Sequence, residues 1–107
     1  MKILQKFTSR WHYTDLVEAL EKRDFTKVQE KFSKIKDDRY QAESIAAMAY
    51  HTPEGSSNFD QLRLKAEEIT NPYWRERAKE SIDYYTLTAN KRERDLRSAL
   101  ELSLDWQ

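Results

Sequence analysis

Catalysis and metal binding call for histidines, thiols, paired carboxylates or glycine-lined phosphate cradles at workable spacings, and this 107-residue chain is poor in all of them. His12 and His51 are its only two histidines. One adjoins an aromatic segment and the other falls in a polar stretch, so no His-x-x-x-His or Glu-x-x-His pair suits a metal site in a helical bundle. Both are expected to be surface or packing residues. There is no cysteine, hence no thiolate nucleophile and no disulfide framework, which fits a reducing compartment. The acidic pairs Asp37-Asp38 and Glu67-Glu68 are adjacent in sequence, and neighbours on a helix point in different directions. Capping explains the first pair and a solvated face the second. A chain with a single glycine has no Gly-rich or Gly-Lys-Ser/Thr cradle for phosphate. These residues describe a protein that is not an enzyme and uses no metal or cofactor.

Two stretches have the residue types of binding rather than of catalysis. Lys27, Lys31 and Lys34 follow one another at i, i+4 and i+7 beside an apolar stripe. Further on, Tyr73, Arg77 and Tyr84 share a helical face next to the stripe of Trp74, Ala78, Ile82 and Tyr85. Tyrosine and arginine are favoured at protein interfaces because each combines a large contact area with a polar tip. The plain alternatives are a solvated charged face for the lysines and packing at a helix flank for the tyrosines.

The elements that must position these residues are helical. Ile3, Leu4, Phe7 and Trp11, then Tyr13, Leu16, Val17 and Leu20, form helical stripes, predicting a helix over about 14–23 after a helical arm at 1–13. Asp24 is a candidate N-cap for a second helix through Phe25, Val28, Phe32 and Ile35. Asp37 and Asp38 can cap a third through Ala42, Ile45, Ala46 and Ala49, and Asp38 with Gln41 has capping-box spacing. Residues 51–58 hold the only glycine and a proline and read as a loop. Asn58 with Gln61 opens a fourth helix through Phe59, Leu62, Ala66 and Ile69. Asn71-Pro72, N-cap then proline at N1, opens a fifth. Asn90 with Glu93 predicts a sixth through Leu96, Ala99, Leu100 and Leu104, with Trp106 placed to cover an exposed core edge.

These helices recur. Phe25, Val28, Phe32 and Ile35 match Phe59, Leu62, Ala66 and Ile69 at an offset of 34, and the offset carries Leu62 and Ala66 on to Leu96 and Leu100. Glu43-Ser44-Ile45 recurs as Glu80-Ser81-Ile82 at 37, predicting a second unit longer by about three residues. One helical hairpin cannot bury its own apolar face, whereas stacked hairpins share a core. In this period the chain resembles the tetratricopeptide-like helical-hairpin repeats, although the Trp, Gly and Tyr positions usual in that family are not met. The resemblance implies a groove lined by equivalent helix faces. On the offset of 34, Lys27, Lys31 and Lys34 align with Gln61, Lys65 and Glu68, and then with Asp95, Ala99 and Leu102, as a ladder facing a peptide or partner.

The totals agree with one domain spanning 1–107. Charged residues make up 36% of the chain and hydrophobic ones 38%, but the apolar positions are periodic, which argues for folding over disorder. Lys plus Arg and Asp plus Glu both number 19, so no net charge draws the chain to nucleic acid or anionic lipid. The N-terminal residues lack the apolar run of a signal peptide, and no stretch approaches 18 apolar residues, so a cytoplasmic location is expected. The expectation is an all-α protein of about six short helices stacked as antiparallel hairpins, the alternative being an irregular helical bundle. Its expected role is a non-catalytic protein–protein interaction module: an adaptor, regulator, chaperone or inhibitor. Lys27, Lys31, Lys34, Gln61, Lys65, Tyr73, Arg77 and Tyr84 are the candidate contacts to another protein or peptide. The alternatives are a nucleic-acid-associated regulator using Lys91, Arg92, Arg94 and Arg97, and a structural homo-oligomer joined through aromatics such as Trp11 and Trp106.

Overall fold

With one glycine and two prolines in 107 residues, little interrupts helical hydrogen bonding. A computed structural model describes residues 2–52 and 58–105, with side chains over 7–52, 58–92 and 94–100. Among these residues there are five α-helices and no strand: α1 Lys2–Glu21, α2 Phe25–Lys34, α3 Asp38–Tyr50, α4 Phe59–Glu67 and α5 Pro72–Asp105. The all-α class holds. The helix boundaries differ from expectation at both ends of the chain.

At the start, the expected arm and first helix are a single helix of 20 residues. Ser9 shows what engages the arm. Its side chain is 1% exposed, and its hydroxyl accepts the backbone N–H groups of Lys36 and Asp37, each at 3.1 Å. The α2–α3 linker is thereby tied to α1. At the end, residues 72–105 form one helix of 34 residues where two were predicted. Asn90 and Glu93 have the spacing of a capping box, but no glycine or proline stands before Asn90 to end the preceding helix.

Most of the predicted caps are present. Asp24 accepts the amide of Lys27, Asn58 that of Gln61 at 2.8 Å, and Asn71 those of Tyr73 and Trp74 at 2.9 and 3.3 Å. At α3 the cap is Asp37, which accepts from Arg39 and Tyr40. Asp38 instead reaches across to accept the Asn71 amide at 3.0 Å, so it fastens the start of α5 to the start of α3. Helix α1 closes differently. Arg23 has φ of 59°, its N–H donates to the Leu20 carbonyl, and the Asp24 N–H donates to the Ala19 carbonyl. These two bonds are the Schellman pair, with arginine at a left-handed position that usually takes glycine.

The α2–α3 and α4–α5 linkers are closed in the same way. Gln41 donates a side-chain N–H to the Ile35 carbonyl at 2.9 Å, and Arg75 donates one to the Ile69 carbonyl at 2.9 Å. Ile35 and Ile69, just past the ends of α2 and α4, are both 1% exposed. In the helices that follow, Ser44 and Met48 are buried, as are Ala78 and Ile82 34 residues on, and Ile45 and Ile82, 37 residues apart, are both buried too.

Helix α3 occupies the centre, packed on α1, α4 and α5, while α2 lies on α1 and α4 on both α3 and α5. Leu16, Leu20, Val28, Ile45, Met48, Leu62, Ala66 and Ile82 form the fully enclosed part of the core. Tyr13, Phe25, Phe32, Phe59, Trp74 and Tyr85 pack around it partly buried. The molecule measures 66 × 29 × 16 Å because α5, about 51 Å long at 1.5 Å per residue, outruns its neighbours. Every described side chain from Asn90 to Leu100 is exposed. Leu96 and Leu100, expected to be equivalent to the buried Leu62 and Ala66, are 66% and 64% exposed. The reason is that α3 and α4 no longer flank α5 at that height. Trp106 lies outside the described residues.

Candidate functional site

The lysine ladder is largely absorbed into helix packing. Lys31 reaches from α2 to Asp15 on α1, Nζ to Oδ2 3.3 Å, with only 18% of its side chain exposed. Lys34 pairs with Glu30 one turn back at 3.2 Å. Lys65 places Nζ 4.9 Å from the centre of the Phe32 ring, a cation–π contact that joins α4 to α2. Lys27 and Gln61 are exposed near the starts of their helices. Gln61, Lys65, Leu64 and Glu68 line a shallow depression with Gln29. The third rung is not brought to this face, since Asp95 and Ala99 belong to the projecting half of α5; the side chain of Leu102 lies outside the described residues.

The second predicted group is arranged along α5. Tyr73 and Tyr84 are 60% and 64% exposed, and Arg77 is exposed between them. Each tyrosine meets its neighbour edge-on: Tyr73 with Trp74 at 4.8 Å between ring centres, and Tyr84 with Tyr85 at 5.1 Å. Tyr73 and Tyr84 are about 16 Å apart along the helix axis, so they do not share one pocket.

Tyr84 does enter a cleft that the sequence did not reveal. Where α5 leaves the end of α3, Ala49, Tyr50, Tyr84, Tyr85, Thr88, Ala89 and Arg92 enclose about 250 Å³. Tyr50, the last residue of α3, is 61% exposed. Its ring meets Tyr85 edge-on at 5.7 Å and His51 at 5.0 Å. The Tyr50–Tyr85 pair divides this cleft from a second, more open one lined by Tyr13, Glu43, Ala46, Ala47, Tyr50, His51 and Tyr85. There the hydroxyl of Tyr13 titrates above the ordinary tyrosine range, because burial and the neighbouring Glu43 carboxylate both disfavour the phenolate. Tyr50 gave one signal in the sequence, an aromatic closing a helix just before a polar loop. Arg92 stood out only among the basic residues of the nucleic-acid alternative, and its place in this cleft depends on α5 continuing through Asn90.

Charge sorts the two clefts. Among the described residues Arg92 is the only ionic group lining the first, whereas Glu43 faces the second. Aromatic faces, phenol hydroxyls and one guanidinium offer a partner apolar contact together with charge-assisted hydrogen bonds. Elsewhere, His12 is half-buried between α1 and α2, its Nδ1 without a hydrogen-bond partner. Desolvation, reinforced by Lys31 and Lys34, lowers its pKa.

Among the described residues no group of three or more His, Cys, Asp or Glu side chains could hold a metal ion. No helix of the described chain is long and apolar enough to cross a membrane. Comparison with known protein families, curated proteins and solved structures returned no match for the chain.

Proposed function

We propose that this protein is a non-catalytic protein–protein interaction module whose docking site is the tyrosine-walled cleft between the end of α3 and the middle of α5. The single observation that carries this reading is the cleft itself: three tyrosines and Arg92 around about 250 Å³, with Tyr50 and Tyr84 well over half exposed. Large aromatic side chains left in water on a small protein are the type of surface that partners cover. The fitting partner is a protein segment that offers an apolar side chain to the tyrosines and a carboxylate to Arg92.

The linkers support reading the scaffold as stacked hairpins similar to tetratricopeptide-like units. Ser9 on α1 and Asp38 on α3 each accept the amides of the next linker, and Gln41 and Arg75 each close a linker carbonyl. In that arrangement α1, α3 and α5 are equivalent helices, and both clefts open on the row they form.

The test is site-specific photocrosslinking in the native host, with a benzophenone amino acid at Tyr84 and, separately, at Lys27 on α2. The expected result is a discrete adduct from position 84, lost when Arg92→Glu is added, and none from position 27. Equal labelling at both positions, or an adduct indifferent to Arg92, would refute the cleft as the docking site.

A further inference from the structure

The apolar stripe that seats α5 on the bundle does not stop where the bundle stops. Trp74, Ala78, Ile82 and Tyr85 pack against the core. At the same helical spacing follow Ala89, half-buried at the end of α3, then Leu96, Ala99 and Leu100 beyond it. The last three are exposed. A leucine stripe on a charged helix is the pattern by which helices pair.

We propose that the missing helix is the same segment of a second copy, paired antiparallel across Leu96 and Leu100. This proposal does not require the cleft to be a docking site. Three features select a second copy in this orientation. First, α3 flanks the stripe as far as Ala89. A parallel mate would bring a second α3 into the same space, whereas an antiparallel mate continues the α3–α5 packing with its own helix in line beyond Tyr50.

Second, length matches. From Ala89 to Asp105 the projection runs about 24 Å, and an antiparallel copy offers the same described length, so the two stripes lie alongside one another. Third, the charges along the sequence suit reversal. Lys91, Arg92, Arg94 and Arg97, outnumbering Glu93 and Asp95 among them, lie towards the bundle, while Glu101 and Asp105 lie towards the far end. Reversing one helix sets the acidic end of each beside the basic stretch of the other. The result is a dumbbell with a bundle and a tyrosine cleft at either end.

Sedimentation equilibrium of the full chain over a wide concentration range tests the association. The expected mass is that of two copies at the upper concentrations, falling to one copy for Leu96→Glu with Leu100→Glu, while the near-ultraviolet circular dichroism of the bundle is unchanged. A single-copy mass for the unmodified chain throughout overturns the proposal, as does a two-copy mass that survives the double substitution. Because the chain has no cysteine, orientation can be read from single spin labels. Glu80→Cys labels lie about 50 Å apart in the antiparallel pair, and a short distance between them would overturn the orientation.

Discussion

Single polar atoms hold this fold at points where a helical stripe alone would leave it loose. The Ser9 hydroxyl is buried and accepts two linker amides. Removing it strands both donors, and an unsatisfied buried donor costs about 1–3 kcal/mol. Ser9→Ala is therefore expected to lower the melting temperature far more than Ser33→Ala on the exposed face of α2, by thermal denaturation of the two variants. Arg23 works in the opposite direction. A side chain at left-handed φ costs about 1–2 kcal/mol, and glycine there gives back part of that in unfolded-state entropy. Arg23→Gly should stabilise the protein by about 0.5–1 kcal/mol, read from urea unfolding. His12 adds a pH dependence. Its pKa is lowered in the folded chain, so below about 6.5 the unfolded chain takes up the proton first. Stability from this group is complete above that pH and is lost on acidification down to the folded pKa. His12→Gln should flatten the part of the stability–pH profile just below pH 6.5, and an unchanged profile would show that burial there has no energetic effect. None of the three was legible in the sequence. Ser9 lay in the helical arm outside its apolar stripe, and a left-handed arginine carries no local signature.

At the scale of elements, caps were the most legible feature and helix continuity the least. Asp24, Asn58 and Asn71 sit where their short side chains could be foreseen to accept the first free amides, since that chemistry is local. Of the two aspartates that could cap α3, Asp37 does so, while Asp38 is taken up by the Asn71 amide, a contact 33 residues away. Asn90 failed as a cap for a related reason: a capping sequence inside an unbroken helix has no free amide to satisfy. If the helix does run through it, Asn90→Pro should break it, since the ring removes the bond to Thr86 and clashes with that carbonyl at about 3 kcal/mol. The damage should stay local, because nothing beyond Asn90 is buried among the described side chains. The expected outcome at low concentration is reduced helical signal with the bundle's melting transition retained. Ala78→Pro, in the buried stretch, should abolish that transition. A transition lost equally in both would mean that the projection packs on the bundle.

For the whole molecule, the all-α class followed from composition and period, but the contrast between a closed bundle and an open projection did not. Periodicity records that Leu96 and Leu100 share a face with Ile82, and it is silent on whether a helix lies opposite that face. The same limit hid the cleft, which exists because α5 continues past the end of α3. This division of the molecule predicts a gradient of hydrogen exchange. Amides around Leu20, Ile45 and Ile82 lie in the enclosed core and should exchange only when the bundle opens. Amides of 93–100 hang on an isolated helical segment too short to persist by itself. In the Leu96→Glu, Leu100→Glu protein they should exchange fastest among the helical amides, on transient fraying of that end. In the unmodified chain at high concentration a mate covering the stripe should slow the same amides, and dilution should release them while the core stays protected. Exchange of 93–100 that is slow and insensitive to both dilution and substitution would place that face against the chain's own bundle. Fast exchange at every concentration would leave it in water.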